Sequence, residues 1–269
     1  MALVACPIYN TDENQREPIV RACLQSLAKT VEWHKGHHKL YLVDDASTCD
    51  KTLKMYEDAR EWLPFTLIQN SGNLGTARSV NRAWINRDKD QSALKMDSDI
   101  VIHDVNWLDK LEECLPLDLQ LGIICLRRRD LAESPDFPEG HFWRSELKRL
   151  PHKPGTRVHT IEKVGHCVGS VQLYSPALLE KIGFMAQFGT YGLDDSLAAV
   201  RCAVVGMYSA FYCGVDIEHV DPGLTPYQQF KQEYAGERME AFGRLCELYK
   251  SGKRSVWHGP DCDLGLEAI

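Results

Sequence analysis

The chain has 269 residues, 44% of them hydrophobic and 26% charged, which bounds it to one large soluble domain or one domain with an appendage. Its formal net charge of −7 gives no global attraction to nucleic acid or to an anionic membrane. Its 10 cysteines include no C-x-x-C pair and mostly stand in apolar runs, which argues against a disulfide scaffold or zinc cluster and for buried thiols in a reducing compartment.

Leu3 to Ile8 reads as a first strand, since this apolar start lacks a basic leader and stops at Pro7. Ile19, Val20, Cys23, Leu24 and Leu27 recur with helical period. Leu40 to Val43 is a second strand, ending at Asp44-Asp45. Leu53, Tyr56, Ala59 and Leu63 mark a second helix, closed by Pro64, and Phe65 to Ile68 a third strand. Asn73-Leu74-Gly75 opens a helix bearing Ala77, Val80, Ala83 and Trp84. Ala93 to Met96 is a fourth strand, ending in Asp97-Ser98-Asp99. A helix with Trp107, Leu108, Leu111 and Leu115 precedes a fifth strand over Leu121 to Leu126. This β-α-β alternation predicts a doubly wound, mostly parallel α/β sheet with helices on both faces.

At Arg127 the composition shifts. Residues 127–163 hold four prolines and little periodicity, and read as an irregular insertion. Nine Lys/Arg against six Asp/Glu make the segment +3. Val164 to Tyr174 resumes an apolar strand, Pro176 to Ile182 a short helix, Asp194 to Val205 a longer one, and Tyr208 to Tyr212 a strand. Thr225-Pro226 opens a long amphipathic helix. The expected division is a single catalytic domain over 1–250, with a nucleotide-binding half (1–126), the insertion (127–163) and an acceptor half (164–224). A C-terminal helix and tail cover 225–269. No uncharged run approaches the ~18 residues of a membrane span, so a cytoplasmic location is expected.

Acids released at the ends of successive parallel strands collect on one sheet edge, where α/β proteins bind ligands. Asp97-x-Asp99 stands at the end of the fourth strand. If the strand continues, its period of 2 sends both side chains to one face, one toward a nucleotide ribose and the other toward a metal. Asp45 ends the second strand and can accept hydrogen bonds from a base or ribose, or serve with Ser47 as a turn or helix cap. The turn Asn73-Leu74-Gly75-Thr76-Ala77-Arg78 can offer amides and a guanidinium to a phosphate. Asp194-Asp195 opens a helix and supplies a candidate base. His219 follows a late strand, as a structural residue or a further ligand beside these acids.

In this order the residues resemble GT-A fold glycosyltransferases, specifically the inverting family 2 group. The match runs through Pro7-Ile8-Tyr9-Asn10, Asp44-Asp45-Ala46-Ser47, Asn73-Leu74-Gly75-Thr76-Ala77-Arg78, Asp97-Ser98-Asp99 and Asp194-Asp195-Ser196-Leu197-Ala198-Ala199-Val200-Arg201, over about residues 3–220. It departs at Asp194, where Glu is usual, and at Leu197, where a second acid is usual. The resemblance implies donor binding by Pro7, Tyr9, Asp45, Asn73, Gly75, Arg78 and Asp97, with Asp45 on the nucleobase. It implies Mn²⁺ or Mg²⁺ on Asp99, Asp97 and His219, and Asp195, beside Asp194, as the base. The implied reaction moves a sugar, most often from a UDP-sugar, to an acceptor hydroxyl with inversion.

A dehydrogenase is disfavoured by the missing G-x-G-x-x-G, and a nucleotidyltransferase by the lack of a triphosphate cradle at Pro7-Ile8-Tyr9-Asn10-Thr11. A non-catalytic nucleotide-sugar-binding module is the other alternative. The acceptor is open: a polysaccharide precursor or other glycan, a small molecule, a protein, or a hydroxymethylated base in DNA. The last would use the basic residues of 127–163 with Phe142 and Trp143.

Overall fold

The structure, a computed structural model, describes residues 1–128, 146–151, 154–167, 169–220, 225–261 and 264, with 225–237 as backbone only. Four strands, β1 (Ala2–Ile8), β2 (Lys39–Asp44), β3 (Thr66–Gln69) and β4 (Ser92–Met96), lie in the order β3-β2-β1-β4, all parallel. Helices α1 (Glu17–Thr30), α2 (Asp50–Ala59) and α3 (Thr76–Trp84) make the connections. The chain then forms β5 (Ile100–Ile102), α4 (Trp107–Cys114), β6 (Leu121–Arg128), β7 (Glu146–Arg149), β8 (Thr160–Val164) and β9 (Val171–Tyr174). Helices α5 (Pro176–Ile182) and α6 (Asp194–Val204), strand β10 (Tyr208–His219) and helix α7 (Thr225–Lys250) complete it.

Beyond β4 the sheet becomes mixed. Strand β9 inserts antiparallel between β4 and β6, while β6 and β10 run parallel to each other. Because β9 is reversed, its start lies beside the ends of β4 and β6, and Met96 pairs with Val171. The C-terminal ends of β1, β2, β4 and β6 and the N-terminal end of β9 therefore share one edge.

Side-chain alternation along β1 builds the two layers. Ala2, Val4, Cys6 and Ile8 join a core with α1, α2 and α4, whereas Leu3 and Ala5 join a core with α3, α5 and α6. The same alternation sends Leu94 and Met96 to the first layer and Ala93 to the second. A third cluster, including Leu197 of α6 and Ala241, Leu245 and Tyr249 of α7, packs the C-terminal helix onto α6.

Three expectations are corrected. The run from Val164 to Tyr174 is two strands, because β8 ends at Val164 beside β10 and β9 starts at Val171 beside β4. The last strand continues past Tyr212 to His219, with a register shift after Phe211. The 127–163 segment is not wholly irregular, since β7 and the start of β8 form an antiparallel hairpin at the sheet edge; Arg129, Phe142, Trp143, Arg144 and Lys153 lie outside the described residues.

Candidate active site

Strand β4 stops at Met96, so Asp97 and Asp99 sit in a turn rather than on a continuing strand. The sequence expectation that both project to one face therefore fails, and each acid meets its own partners. The Asp97 amide donates to Ser170 O at 2.9 Å, tying the turn to the start of β9.

Asp97 Oδ1 lies 2.6 Å from Lys95 Nζ. Lys95 is buried on the face of β4 that looks toward α6, and it also donates to Gly169 O. Burial alone would lower its pKa, but Asp97, Asp194 and Asp195 outweigh that and hold it protonated. Burial lifts the Asp97 carboxyl above its usual range, against the pull of Lys95.

Gly169 bridges to the start of α6. Its amide donates to Asp195 Oδ2 at 3.1 Å. Asp195 Oδ2 also lies 3.4 Å from His166 Nε2, and Oδ1 accepts from the Ser196 amide at 2.7 Å. Burial would raise Asp195, but the His166 contact outweighs it and holds the carboxyl below its usual range. Burial pushes its neighbour Asp194 up to about 6, with Lys95 opposing and Asp195 and Asp97 adding repulsion. One Asp194 oxygen, Oδ2, is buried without a protein partner. The two acids are thus split by environment, one held ionised and one titrating near neutrality.

Asp99 faces the other way. Its Oδ2 lies 2.6 Å from Arg16 Nη2 and 3.4 Å from His219 Nε2, and its Oδ1 is buried without a partner. Burial would raise its pKa, but His219 and Arg16 together hold it far below the carboxylate range. Arg128 Nη2 lies 3.0 Å from His219 Nδ1. Guanidinium only donates, so Nδ1 is the acceptor and the neutral ring carries its proton on Nε2, toward Asp99.

The residues expected to bind the nucleotide fall into two groups. Pro7 lies one residue before Ile8, the last of β1, and Tyr9 follows at the sheet edge, 41% exposed. Neighbouring Asn10 is buried, with neither side-chain amide atom paired. Asp45, by contrast, is committed inside the protein. Its oxygens accept from Leu74 N (2.8 Å), Gly75 N (2.9 Å) and Asn70 Nδ2 (2.9 Å). Asn73 Oδ1 also accepts from Gly75 N, and Arg78 Nε donates to Leu74 O at 2.9 Å.

Gln187 completes that turn from over a hundred positions away. Its Oε1 caps α3 by accepting from Ala77 N at 2.6 Å. The amides the sequence offers to a phosphate at Leu74, Gly75 and Ala77 are therefore already bonded, and Asp45, Asn73 and Arg78 shape the turn. Gly75 is required there: its φ is +82°, and a Cβ would meet Thr190 O at 2.1 Å.

Sequence patterning does not single out Lys95, Arg16, His166 or Gln187 for the site, and it places Arg128 only in the basic run of 127–163, whereas the fold turns it onto His219. Of the first four, only Lys95 left a signal, as a lysine inside an otherwise apolar strand. Among the described residues, no group of three His, Cys, Asp or Glu side chains encloses a metal site by itself, and no helix is long and apolar enough to cross a membrane.

Parallel strands that release acids onto one edge, facing a helix that opens with two carboxylates, define the GT-A class of α/β fold. A family model described as Glycosyl transferase family 2 matches residues 4–183, and the chain belongs to that family. Solved structures agree on the fold. The mannosyltransferase PcManGT from Pyrobaculum calidifontis, in complex with GDP-Man and Mn²⁺, superposes with a TM-score of 0.58 at 18% identity, over 83% of this chain and 57% of that one. S. aureus TarS 1-349, in complex with UDP-GlcNAc, gives 0.56 at 18% identity, over 81% and 58%. GalNAc-T7 with UDP, GalNAc and Mn²⁺ gives 0.57 at 14%, over 82% and 44%. The chain thus spans less than two thirds of each of these proteins. A search of the curated proteins by sequence returned no match.

Proposed function

We propose that this protein is an inverting glycosyltransferase that moves a sugar from a nucleotide-sugar to an acceptor hydroxyl. The observation that carries this reading is the continuous polar network from Asp97 through Lys95 and Gly169 to Asp195. It holds the family's two acidic motifs at one edge of the sheet, a donor-side acid at one end and a candidate base at the other. In this reading the donor binds beside Pro7 and Tyr9, with Asp97 toward the ribose. Asp45, Asn73, Gly75 and Arg78 hold the turn before α3 in shape.

The site suits a hard divalent cation held by one protein carboxylate and completed by donor phosphates. Asp99 Oδ1, buried and unpaired, is the open oxygen; Asp97 and His219 are engaged with Lys95 and Arg128 and would join only on releasing them. Mn²⁺ or Mg²⁺ bound there supplies neutralisation of the charge that develops on the leaving diphosphate.

Asp195 takes the acceptor's proton. As the hydroxyl oxygen bonds to the anomeric carbon it becomes strongly acidic, so a permanently ionised carboxylate suffices as base. The Gly169 amide and His166 fix its orientation. Lys95 keeps Asp97, Asp194 and Asp195 from repelling one another apart.

Carbohydrate or small-molecule acceptors are favoured over DNA. Of the six described cations of the 127–163 segment, three are in ion pairs, Arg127 with Glu162, Lys148 with Asp118 and Arg157 with Glu113, and Arg128 is turned onto His219. The test is nucleotide release from a panel of UDP-, GDP-, TDP- and CMP-sugars, with Mn²⁺ or with EDTA. Metal-dependent release from one donor is expected. Absence of release and of thermal stabilisation by every donor would leave a binding module or an unrelated activity.

A further inference from the structure

Three side chains are candidate cation ligands, and each already faces a protein cation. Asp97 pairs with Lys95 at 2.6 Å, Asp99 with Arg16 at 2.6 Å, and His219 with Arg128 at 3.0 Å. A bare divalent ion approaching this turn meets carboxylate charge that is already neutralised.

Arg16 differs from the other two cations in where it sits. Lys95 belongs to a central strand and Arg128 to the end of β6, whereas Arg16 stands at the N-cap of α1, closing a short loop that follows Tyr9. That loop is held by local bonds: Thr11 N donates to Asn14 Oδ1 at 2.9 Å, and Asn14 N to Thr11 Oγ1 at 3.1 Å. Gln15, just before Arg16, has φ +46°, a left-handed conformation that a non-glycine residue adopts at a cost. A cation at a helix N-terminus also opposes the helix dipole, and Arg16 makes no side-chain cap bond. Helix stability therefore does not explain an arginine here. Its contact with Asp99 does, since the pair is largely enclosed, with the side chains 16% and 10% exposed.

We propose that Arg16 is a counter-ion latch that occupies Asp99 until the donor's diphosphate draws it away. The inference rests on the nucleotide-sugar reading above. Without a donor, the guanidinium satisfies Asp99 Oδ2, while Oδ1 is buried without a hydrogen-bond partner. A nucleoside diphosphate offers the same planar group two or more anionic oxygens, which it can engage bidentately. Arg16 then moves from carboxylate to phosphate, and Asp99, freed of its ion pair with only His219 left beside Oδ2, opens to a divalent ion. Cation and diphosphate consequently bind together, each strengthening the other, with coupling of the usual size for linked sites, about 5- to 150-fold.

The test is Mn²⁺ titration of the full chain, followed by the electron paramagnetic resonance of the free ion, with no nucleotide and then with UDP or GDP. Without nucleotide, Arg16→Gln is expected to bind Mn²⁺ about tenfold or more tighter than the wild type, and Arg16→Lys, which keeps the charge, to stay near wild type. The gain is expected to vanish in Arg16→Gln/Asp99→Asn. UDP or GDP should tighten Mn²⁺ binding in the wild type and much less in Arg16→Gln. Equal nucleotide-free affinity in wild type and Arg16→Gln overturns the latch, as does a gain that survives Asp99→Asn. Thermal melts confirm that each variant is folded. A wild type that takes neither nucleotide would count against the donor reading, while the nucleotide-free comparison still decides the latch.

Discussion

Lys95 Nζ stands 2.6 Å from Asp97 Oδ1 and also donates to the Gly169 carbonyl, so one buried lysine joins the acidic turn after β4 to the segment that orients Asp195. Few substitutions should be as costly as removing it.

Replacing Lys95 by Met leaves three carboxylates facing one another with no cation, and loss of one partner of a buried ion pair costs about 3–5 kcal/mol. Urea unfolding at pH 7 should show a loss of that order. The deficit should shrink toward pH 4, because Asp97 and Asp194 both have raised pKa values and take up protons there. A deficit independent of pH would mean that the cost is packing rather than charge.

The two acids opening α6 should separate in function. Asp195→Asn is expected to lower the transfer rate ~10²–10⁴-fold while leaving donor binding intact. Full activity in that variant would remove Asp195 as the base.

Asp194→Asn should change the pH dependence of stability. Asp194 titrates near 6 in the folded protein against an ordinary 3.8, so the folded state holds the extra proton between those values. Its contribution is therefore fully present below about pH 4 and is lost as pH rises through about 6. The variant should lack that slope and exceed the wild type in stability at pH 8. Parallel stability curves for the two proteins would show that Asp194 does not titrate in this range.

Gly75→Ala should be severely destabilising. The new Cβ would lie 2.1 Å from Thr190 O and 2.3 Å from Gln187 Nε2, at a φ of +82°. Backbone strain and overpacking together should cost more than about 2 kcal/mol, read as a lowered urea midpoint. Ala46→Gly should act in reverse. Ala46 has φ +64° between Asp45 and Ser47, and relief of a left-handed alanine should stabilise by roughly 1 kcal/mol.

Much of this architecture was legible in the chain. Short apolar runs marked β1 to β4, because the inner strands are covered on both faces, and helical spacing marked α1 to α3, because each helix buries one face and must write that face into its residue types. The acids at 45, 97, 99, 194 and 195 were visible for the same reason, as charges placed where apolar runs stop. Short elements such as β5 and β7 left little pattern, and the break between β8 and β9 lies inside an apparently continuous apolar run.

Apart from the Asp97–Lys95 pair, two positions apart, what each acid does was decided by tertiary contact. Nothing near Asp45 in sequence announces that its oxygens hold the amides of Leu74 and Gly75, nor does anything near Ala77 point to its cap at Gln187. Asp99 and Arg16 are separated by 83 positions, Lys95 and Gly169 by 74, and Asp195 and His166 by about thirty. Local sequence specifies which face of an element is apolar, since burial acts on each residue separately. The protonation state and partner of a buried charge depend on which other charges the fold brings within a few ångströms, and in this protein those come from distant strands, loops and helix ends.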